Sequence, residues 1–383
     1  MIDVAVAGGG PVGARVAGLL AKKGFSVAIL EEHREIGRPI HCAGLVSMKC
    51  HEMLGCPRVL AELRAVKVHS PRGHDLEVRA DGVRAVAIDR QETDKSMAVA
   101  AVNAGAQLKL GFQITGVRES RESIFAKSPG EELQARLLIG ADGAGSAVRR
   151  SLGIDPPEEL LPSFETELLD DVGQMSDVVD VWIGNSVAPG FFAWSIPANG
   201  ILRVGLAVTP GLPARDFLHA HLERAGLSGK KILATYAGLL PIGGVKRPYA
   251  DRALLVGDAA GHVKPLSGGG LFPGLVAAGT CAEVAAKALD DDKLDVKSLS
   301  NYGGLLEKAL GSEIARAHTL RAVFKGMDDR ALDSTLKTLS KPAAVAYIAA
   351  EGDIDFPSGL AKGLLAKCPG LLGLAPRALK SFL

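Results

Sequence analysis

A chain of 383 residues exceeds what one compact core usually holds, so two domains, or one domain with a helical appendage, are expected. Hydrophobic residues make up 47% and charged residues 23%, values of a folded chain and not of a disordered one. Forty-four Lys and Arg balance 43 Asp and Glu, and the formal charge of +1 excludes nucleic acid or an anionic surface as the principal partner.

Five cysteines, at positions 42, 50, 56, 281 and 368, form no CxxC pair and read as reduced thiols in a cytoplasmic setting. His41, Cys42, Cys50, His51 and Cys56 match no common zinc spacing, so no metal is expected. An apolar strand begins almost at Met1, without the basic region and small-residue cleavage site of a signal peptide. The most apolar long window, 268–286, contains Pro273 and Glu283, which argues against a membrane span.

In chain order, residues 3–7 (DVAVA) form a buried strand, a glycine-rich turn follows, and a helix runs to Ala21 before Gly24 caps it. Residues 26–30 (SVAIL) return as a second strand, giving a βαβ unit that opens a parallel sheet. Residues 66–88 change to short alternating strands (VKVHS, LEVRA, RAVAI) separated by PRG and DG turns, the pattern of antiparallel sheet. A helix over 89–104, a strand over 107–110 and a second meander (ITGVRE, SIFAKS) precede the buried strand RLLIGADG. Residues 156–245 again read as antiparallel strands, RALLVGD restores a parallel strand, a long helix reaches about Leu289, and 299–383 is mainly helical. The fold class is therefore α/β. A Rossmann-type domain (1–65, 85–155 and 246–298) is interleaved with an antiparallel-sheet substrate domain (66–84 and 156–245), followed by a helical C-terminal region.

Gly8-Gly9-Gly10-Pro11-Val12-Gly13 satisfies G-x-G-x-x-G between that first strand and helix. Gly8 permits the tight turn, Gly10 lets the backbone approach a pyrophosphate, and Gly13 lets helix and strand pack closely. The amides of Val12 and Gly13 then present the positive end of the helix dipole to phosphate. Glu31 ends the second strand, where an acid accepts hydrogen bonds from an adenosine ribose.

Two later segments, LLIGADGAGSAVRR (137–150) and RALLVGDAAGHVKPLSGGGLFPGLVAAGTCAE (252–283), separate FAD from NAD. With the fingerprint they resemble the FAD-binding superfamily typified by p-hydroxybenzoate hydroxylase. The resemblance implies FAD, with Asp258 on the ribityl chain and the amides of Gly270 and Leu271 near the flavin pyrimidine. It implies that Asp142 and Gly143 form the floor near the pyrophosphate, that Arg90 reaches the cofactor, and that Ile114 belongs to the cofactor-binding set. Taken alone, Asp258 also reads as a surface N-cap and Arg90 as a solvated helix-start charge.

EIGRPIHCAGLVS (35–47) and FFAWSIPANGILRVGLAV (191–208) narrow the resemblance to the geranylgeranyl reductase family, which saturates isoprenoid double bonds, including those of archaeal diether lipids. Pro39 to Gly44 fits that family's P-x-x-C-G/A segment, with Ala43 for a frequent glycine. Phe192 to Pro197 fits its aromatic-x-W-x-F-P segment, with Phe for Tyr and Ile for Phe. By this resemblance Cys42, Ala43 and Gly44 lie beside the isoalloxazine, and Cys42 is a candidate for proton relay. Cys42 equally reads as a small buried packing residue. Phe192, Trp194 and Ile196, with Phe191, would supply an apolar wall, since alternate positions of a strand share a face; core packing is the plainer reading of the same aromatics. His41 and His262 flank the site and read either as groups that titrate near neutral pH or as hydrogen-bonded structure, and neither is named as a catalytic acid.

No second strand–GxGxxG–helix unit serves a nicotinamide cofactor, so the electron donor is either transiently bound NAD(P)H or a ferredoxin-like protein. The stretch 359–383 mixes Leu with Lys and Arg and reads either as a peripheral membrane contact or, broken by Pro369 and Pro376, as helices closing the substrate cavity. The expected activity is FAD-dependent reduction of geranylgeranyl chains. A flavin monooxygenase acting on a small aromatic compound, or a flavoprotein devoted to electron transfer, is the alternative.

Overall fold

The computed structural model describes residues 1–40, 42–170 and 176–373. Its first sheet has five parallel strands in the order Ala253–Leu255, Glu131–Gly140, Ile2–Ala7, Val27–Glu31 and Gln107–Leu110. Val4 pairs with both Leu137 and Val27, and the strand it lies on is buried from Val4 to Ala7. Continuous apolar runs such as VAVA and LLIG suit such strands, because helices or loops cover both faces. The helices Pro11–Lys22 and Leu271–Asp290 pack together on one face around Val16, Leu20, Leu275 and Ala278. Pro11 opens the first of these at the position where its missing N–H costs nothing.

A seven-stranded sheet forms the second layer, in the order Ile232–Ile242, Glu159–Leu169, Ile201–Ala207, Phe192–Pro197, Val178–Ile183, Ala65–His69 and Asp75–Arg79. It is antiparallel except where Val178–Ile183 runs parallel to Ala65–His69. The helix Ala214–Arg224, which the sequence reading passed over, covers one face through Leu218 and Leu222 against Leu168, Val204 and Leu206. The opposite face looks toward the Rossmann-type layer.

Ala85–Ile88 departs from expectation. Instead of continuing the meander it pairs with Leu45–Ser47 and Val59–Leu63 in a separate three-stranded sheet. All four of its residues are buried, Val86 and Ile88 in one core cluster and Ala85 and Ala87 in another. AVAI is thus a strand buried on both faces, for which alternation is not the diagnostic pattern. Its two partners lie in a stretch for which no strand was expected.

The C-terminal region is helical as expected, with Ser312–Lys325, Asp329–Leu339, Pro342–Glu351 and Leu360–Lys367 joined through Ala344, Leu365 and Cys368. Leu271–Asp290 is the one helix among the described residues long and apolar enough to cross a membrane, and 67% of that window is buried in the protein. The last ten residues of the basic and leucine-rich stretch lie outside the described residues.

Candidate active site

The glycine turn is built as its spacing demands. Gly8 has φ +98°, and a Cβ there would stand 2.4 Å from the Ala141 carbonyl oxygen. A Cβ on Gly13 would stand 2.1 Å from the Gly8 carbonyl oxygen, whereas one on Gly10 would meet nothing within 4 Å. Gly8 and Gly13 therefore serve the turn itself, and Gly10 keeps open the space in front of the helix. No side chain caps this helix, so its first amides are left for a ligand. Glu31 braces the turn: its Oε2 accepts from the Gly9 amide at 2.8 Å, and its Oε1 from the His33 amide at 2.9 Å.

The backbone of Ala141 and Asp142 forms the floor under Gly8. The Asp142 carboxylate is turned away to cap a short helix, accepting from Ser146 Oγ at 2.6 Å and the Val148 amide at 3.0 Å. Beside it Gly143 (φ +73°) faces open space. Ile114 packs at the margin of the core cluster around Phe112, in a loop hung from the second strand by a bond from the Phe112 amide to the Glu31 carbonyl at 2.8 Å.

Arg90, Asp258, Gly270 and Cys42 to Gly44 come together. Arg90 opens its helix behind the Asp89 cap and grips Asp94 with two hydrogen bonds of 3.1 and 3.0 Å. Burial opposes its charge, but the Asp94 carboxylate and nearby Cys42 outweigh burial and hold its pKa above the ordinary value. Asp258 makes no hydrogen bond to any described side chain, and burial pushes its carboxyl up to about 6 despite the Arg90 charge. It is not a surface N-cap. A Cβ on Gly270 would stand 2.7 Å from Asp258 Oδ1, so the glycine allows that carboxyl into the start of the Leu271–Asp290 helix. A half-buried carboxyl that meets no described side-chain donor suits a polyhydroxyl chain, and an uncapped helix start suits a ring that gains negative charge on reduction. These residues fit FAD.

Cys42 Sγ accepts from the Gly44 amide at 3.4 Å. Gly44 has φ +70°, and a Cβ there would collide with the Ile88 carbonyl oxygen at 2.7 Å and Arg203 Nη1 at 2.8 Å. His41 lies outside the described residues. His262 is a structural residue: its Nδ1 accepts from the Gly257 amide at 3.1 Å, and burial lowers its pKa to about 4. Burial likewise raises the Cys50 thiol to about 12.

The substrate-sheet face turned toward this cluster carries three rows of residues across four strands. The middle row is Trp194, Gly205, Glu165 and Tyr236. The row beside it is Ile196, Arg203, Glu167 and Ala234, and on the other side Ala207, Ser163 and Gly238 follow Phe192. Phe191 and Phe192 stack at 4.2 Å, and with Leu161, Leu240 and Val263 they make an apolar surface running to the glycine run; a Cβ on Gly268 would stand 2.9 Å from Phe191 Cζ. Ile196, on the same face, is only 2% exposed and packs beside Trp194 against Leu63, Ala85 and Ala87.

Three charged residues of this face escaped the sequence reading. Arg203, 4% exposed, donates to the Ala43 carbonyl at 2.8 Å and the Ile88 carbonyl at 3.0 Å, and pairs with Glu167 at 3.2 Å. It staples the cysteine segment to the substrate sheet. Glu165 Oε2 accepts from Trp194 Nε1 at 2.8 Å, and burial pushes its carboxyl up to about 7 against the pull of Trp194 and Arg203. The available signal was a charged residue at an apolar-strand position, as in ILRVGLAV and SFETELL. Farther round, buried Asp355 accepts from Ser47 Oγ at 2.5 Å and pairs with Lys264 at 3.1 Å, tying the C-terminal region to the loop before the glycine run.

The sequence matches the family model described as an FAD binding domain over residues 1–216. It is 31% identical to digeranylgeranylglycerophospholipid reductase 2 of Methanothermobacter thermautotrophicus, across 88% of this chain and 91% of that one. Identity to digeranylgeranylglycerophospholipid reductase 2 of Methanopyrus kandleri is 30%, across 99% of both chains. The chain belongs to the digeranylgeranylglycerophospholipid reductase family. Like that family it is an FAD-dependent oxidoreductase. Among solved structures, a geranylgeranyl bacteriochlorophyll reductase-like protein of Thermoplasma acidophilum superposes with a TM-score of 0.82 at 21% identity, covering 97% of this chain and 99% of that one. The p-nitrophenol 4-monooxygenase of Pseudomonas putida superposes with a TM-score of 0.71 at 17% identity, covering 92% and 97%. At those identities the likeness is one of fold.

Proposed function

We propose that this member of the reductase family saturates the double bonds of geranylgeranyl chains on an archaeal-type ether phospholipid. The observation that carries the reading is the apolar sheet face of Phe192, Trp194, Leu161 and Leu240, spanning from the Cys42–Gly44 segment to the Gly268–Gly270 run. Bound and reduced, FAD supplies the hydride. Gly8, Gly10, Val12, Gly13, Glu31, Asp142, Gly143 and Ile114 are assigned to its nucleotide half, and Cys42, Ala43, Gly44, Arg90, Asp258, Gly270 and Leu271 to its flavin half. On sheet membership, the strands of 66–84 and 156–245 are taken as the substrate domain, with RAVAI excluded.

An isolated alkene has no carbonyl to polarise, so the protein's contribution is to hold the chain close in a dry cleft and to place a proton source. Phe192 and Trp194 do the first: their faces give an isoprenoid chain contact without specific hydrogen bonds. A cavity of about 540 Å³, lined among others by Arg34, Arg38, Ile40 and Tyr236, opens to the surface where the middle row ends. The test is an anaerobic incubation of dithionite-reduced enzyme with a digeranylgeranylglyceryl phospholipid, followed by mass spectrometry. Gains of two hydrogens at a time, with flavin reoxidised, are the expected result. No change in mass, with flavin reduced until oxygen and a phenol are added, would establish a hydroxylase.

A further inference from the structure

Reducing an alkene with a hydride leaves one carbon in need of a proton, for which the sequence offered Cys42, whose Sγ accepts from the Gly44 amide at 3.4 Å. The thiol of Cys50 is buried and Cys281 more so, burial holding both protons tightly. His262 accepts from the Gly257 amide and stays neutral, and His221 lies on the far face of the sheet, against Trp182. Glu165 differs from all of these in position.

It occupies the middle row of the sheet face, between the row of Arg203, which donates to the Ala43 carbonyl, and the row of Phe192, whose stacked neighbour Phe191 approaches Gly268. The two segments assigned to the flavin therefore flank its row. Gly205 lies directly between Glu165 and Trp194, and a Cβ there would come within 2.6 Å of the indole. The missing side chain lets the indole lie across the strand and donate to Glu165 Oε2. The other oxygen, Oε1, accepts no hydrogen bond from the described residues and is not among their sealed, unpaired polar atoms. One oxygen is thus anchored by the substrate wall and the other is free to act.

Burial favours the neutral acid, against the Trp194 hydrogen bond and the Arg203 charge. Arg203 is committed to Glu167 and two carbonyls, Glu167 repels a second negative charge, and Tyr236 on the next strand is a neutral phenol. Burial dominates, and the carboxyl retains its proton up to about pH 7.

We propose that the Glu165 carboxyl is the catalytic acid that protonates the substrate double bond. This rests on the proposed reduction of an isoprenoid chain. The alkene π bond breaks; one carbon forms a C–H bond with the hydride supplied by the reduced cofactor, and its neighbour forms one with the Glu165 proton. The acid's O–H bond breaks and its electron pair remains on the carboxylate. Reprotonation runs from the cavity that Tyr236 lines, on the next strand in the same row.

The experiment compares wild type with Glu165→Gln, which still accepts from Trp194 but carries no acidic proton, and with Trp194→Phe, which keeps the acid but removes its hydrogen-bond donor. Dithionite-reduced enzyme is mixed anaerobically with digeranylgeranylglyceryl phospholipid across pH 5–9, and flavin reoxidation is followed. Infrared spectra of the lipid-free holoenzymes report the carboxylic-acid C=O band. Wild type should show the band at neutral pH and a rate falling as pH rises through about 7. Glu165→Gln should lose the band and slow by about 100-fold or more, the usual contribution of a positioned acid, with a flat profile. Trp194→Phe should move the descending limb to higher pH, because the indole favours the carboxylate. A Glu165→Gln enzyme with bound flavin and a rate within about threefold of wild type, far short of the loss a general acid should cause, overturns the proposal. So does a slow variant that keeps the wild-type pH profile, or a wild type without the band. If wild type leaves the lipid unreduced, the reductase reading itself fails, and the assignment of Glu165 with it.

Discussion

Glu165 makes a quantitative prediction that needs no substrate. Its carboxyl is pushed from the ordinary value of 4.5 up to about 7, by burial first, against the Trp194 hydrogen bond and the Arg203 charge. A group whose folded pKa is raised binds its proton more tightly in the folded state. Its contribution to stability is complete below the unfolded pKa and is lost as pH rises through the folded one. The window therefore runs from about pH 4.5 to about pH 7 or 8. At about 1.4 kcal/mol per unit the loss is on the order of 3 kcal/mol. Unfolding entropy near 2.1 cal/mol/K per residue amounts to roughly 0.8 kcal/mol/K for a chain of this length, so 3 kcal/mol corresponds to about 4 °C. Glu165→Gln keeps the bond to Trp194 and has nothing to titrate. The apparent Tm of the variant, followed by release of flavin fluorescence, should therefore gain about 3 °C on wild type between pH 5 and pH 8, the larger part of that loss. Asp258, His262 and every other titrating group are common to both proteins and cancel in the difference. A Tm difference constant within about 1 °C over that range would mean that Glu165 is ionised throughout, and the burial argument would fall.

Asp258→Ala should weaken FAD by about 1.5–3 kcal/mol, roughly ten- to a hundredfold, if the unpartnered carboxyl binds the ribityl chain; unchanged flavin content after purification would contradict that. Gly13→Ala and Gly10→Ala should both lose FAD, but only Gly13→Ala should also lower the Tm of the apoprotein, because its Cβ meets the Gly8 carbonyl while that of Gly10 meets open space. Equal Tm losses in the two variants would refute the division of labour. Trp194→Ala should leave flavin bound and slow turnover of a long prenyl substrate by about tenfold or more, the value of one lost hydrogen bond; equal activity would remove Trp194 from the wall.

The parts of this molecule that were legible in the sequence are those in which one local pattern has one physical cause. The glycine turn, its strands and the acid at Glu31 lie within about thirty residues, and each glycine answers to a contact with its own neighbourhood. Asp258 and Gly270 were found through the segments around them, and the structure adds the reason they go together: the glycine's missing Cβ gives the carboxyl its room. RAVAI misled because its alternation was read as a half-exposed strand, whereas both of its faces are buried and its edges pair with strands at 45–47 and 59–63 that carry weak strand signals of their own. Ala214–Arg224 was absorbed into a run of strands because its neighbours on both sides are strands.

Arg203 and Glu165 were illegible for a different reason. Each is a charged residue in an apolar strand, which alone says only that something pairs with it. Arg203 finds its partners 160 and 115 positions away, at Ala43 and Ile88, and Glu165 finds Trp194 across a glycine on the strand between them. Register, fixed by the sheet and not by any one segment, decides both pairings. It also explains why two glutamates two residues apart on one strand face opposite fates. Glu167 stands opposite Arg203 and takes its charge, while Glu165 stands opposite Gly205 and has only the indole. A one-residue slip would turn both carboxyls toward Leu218 and Leu222 on the far face, where neither an arginine nor the cleft could use them. The acid and the staple are therefore products of the same register, and the sheet proposed to bind the lipid chain also determines which of its carboxyls can hold a proton.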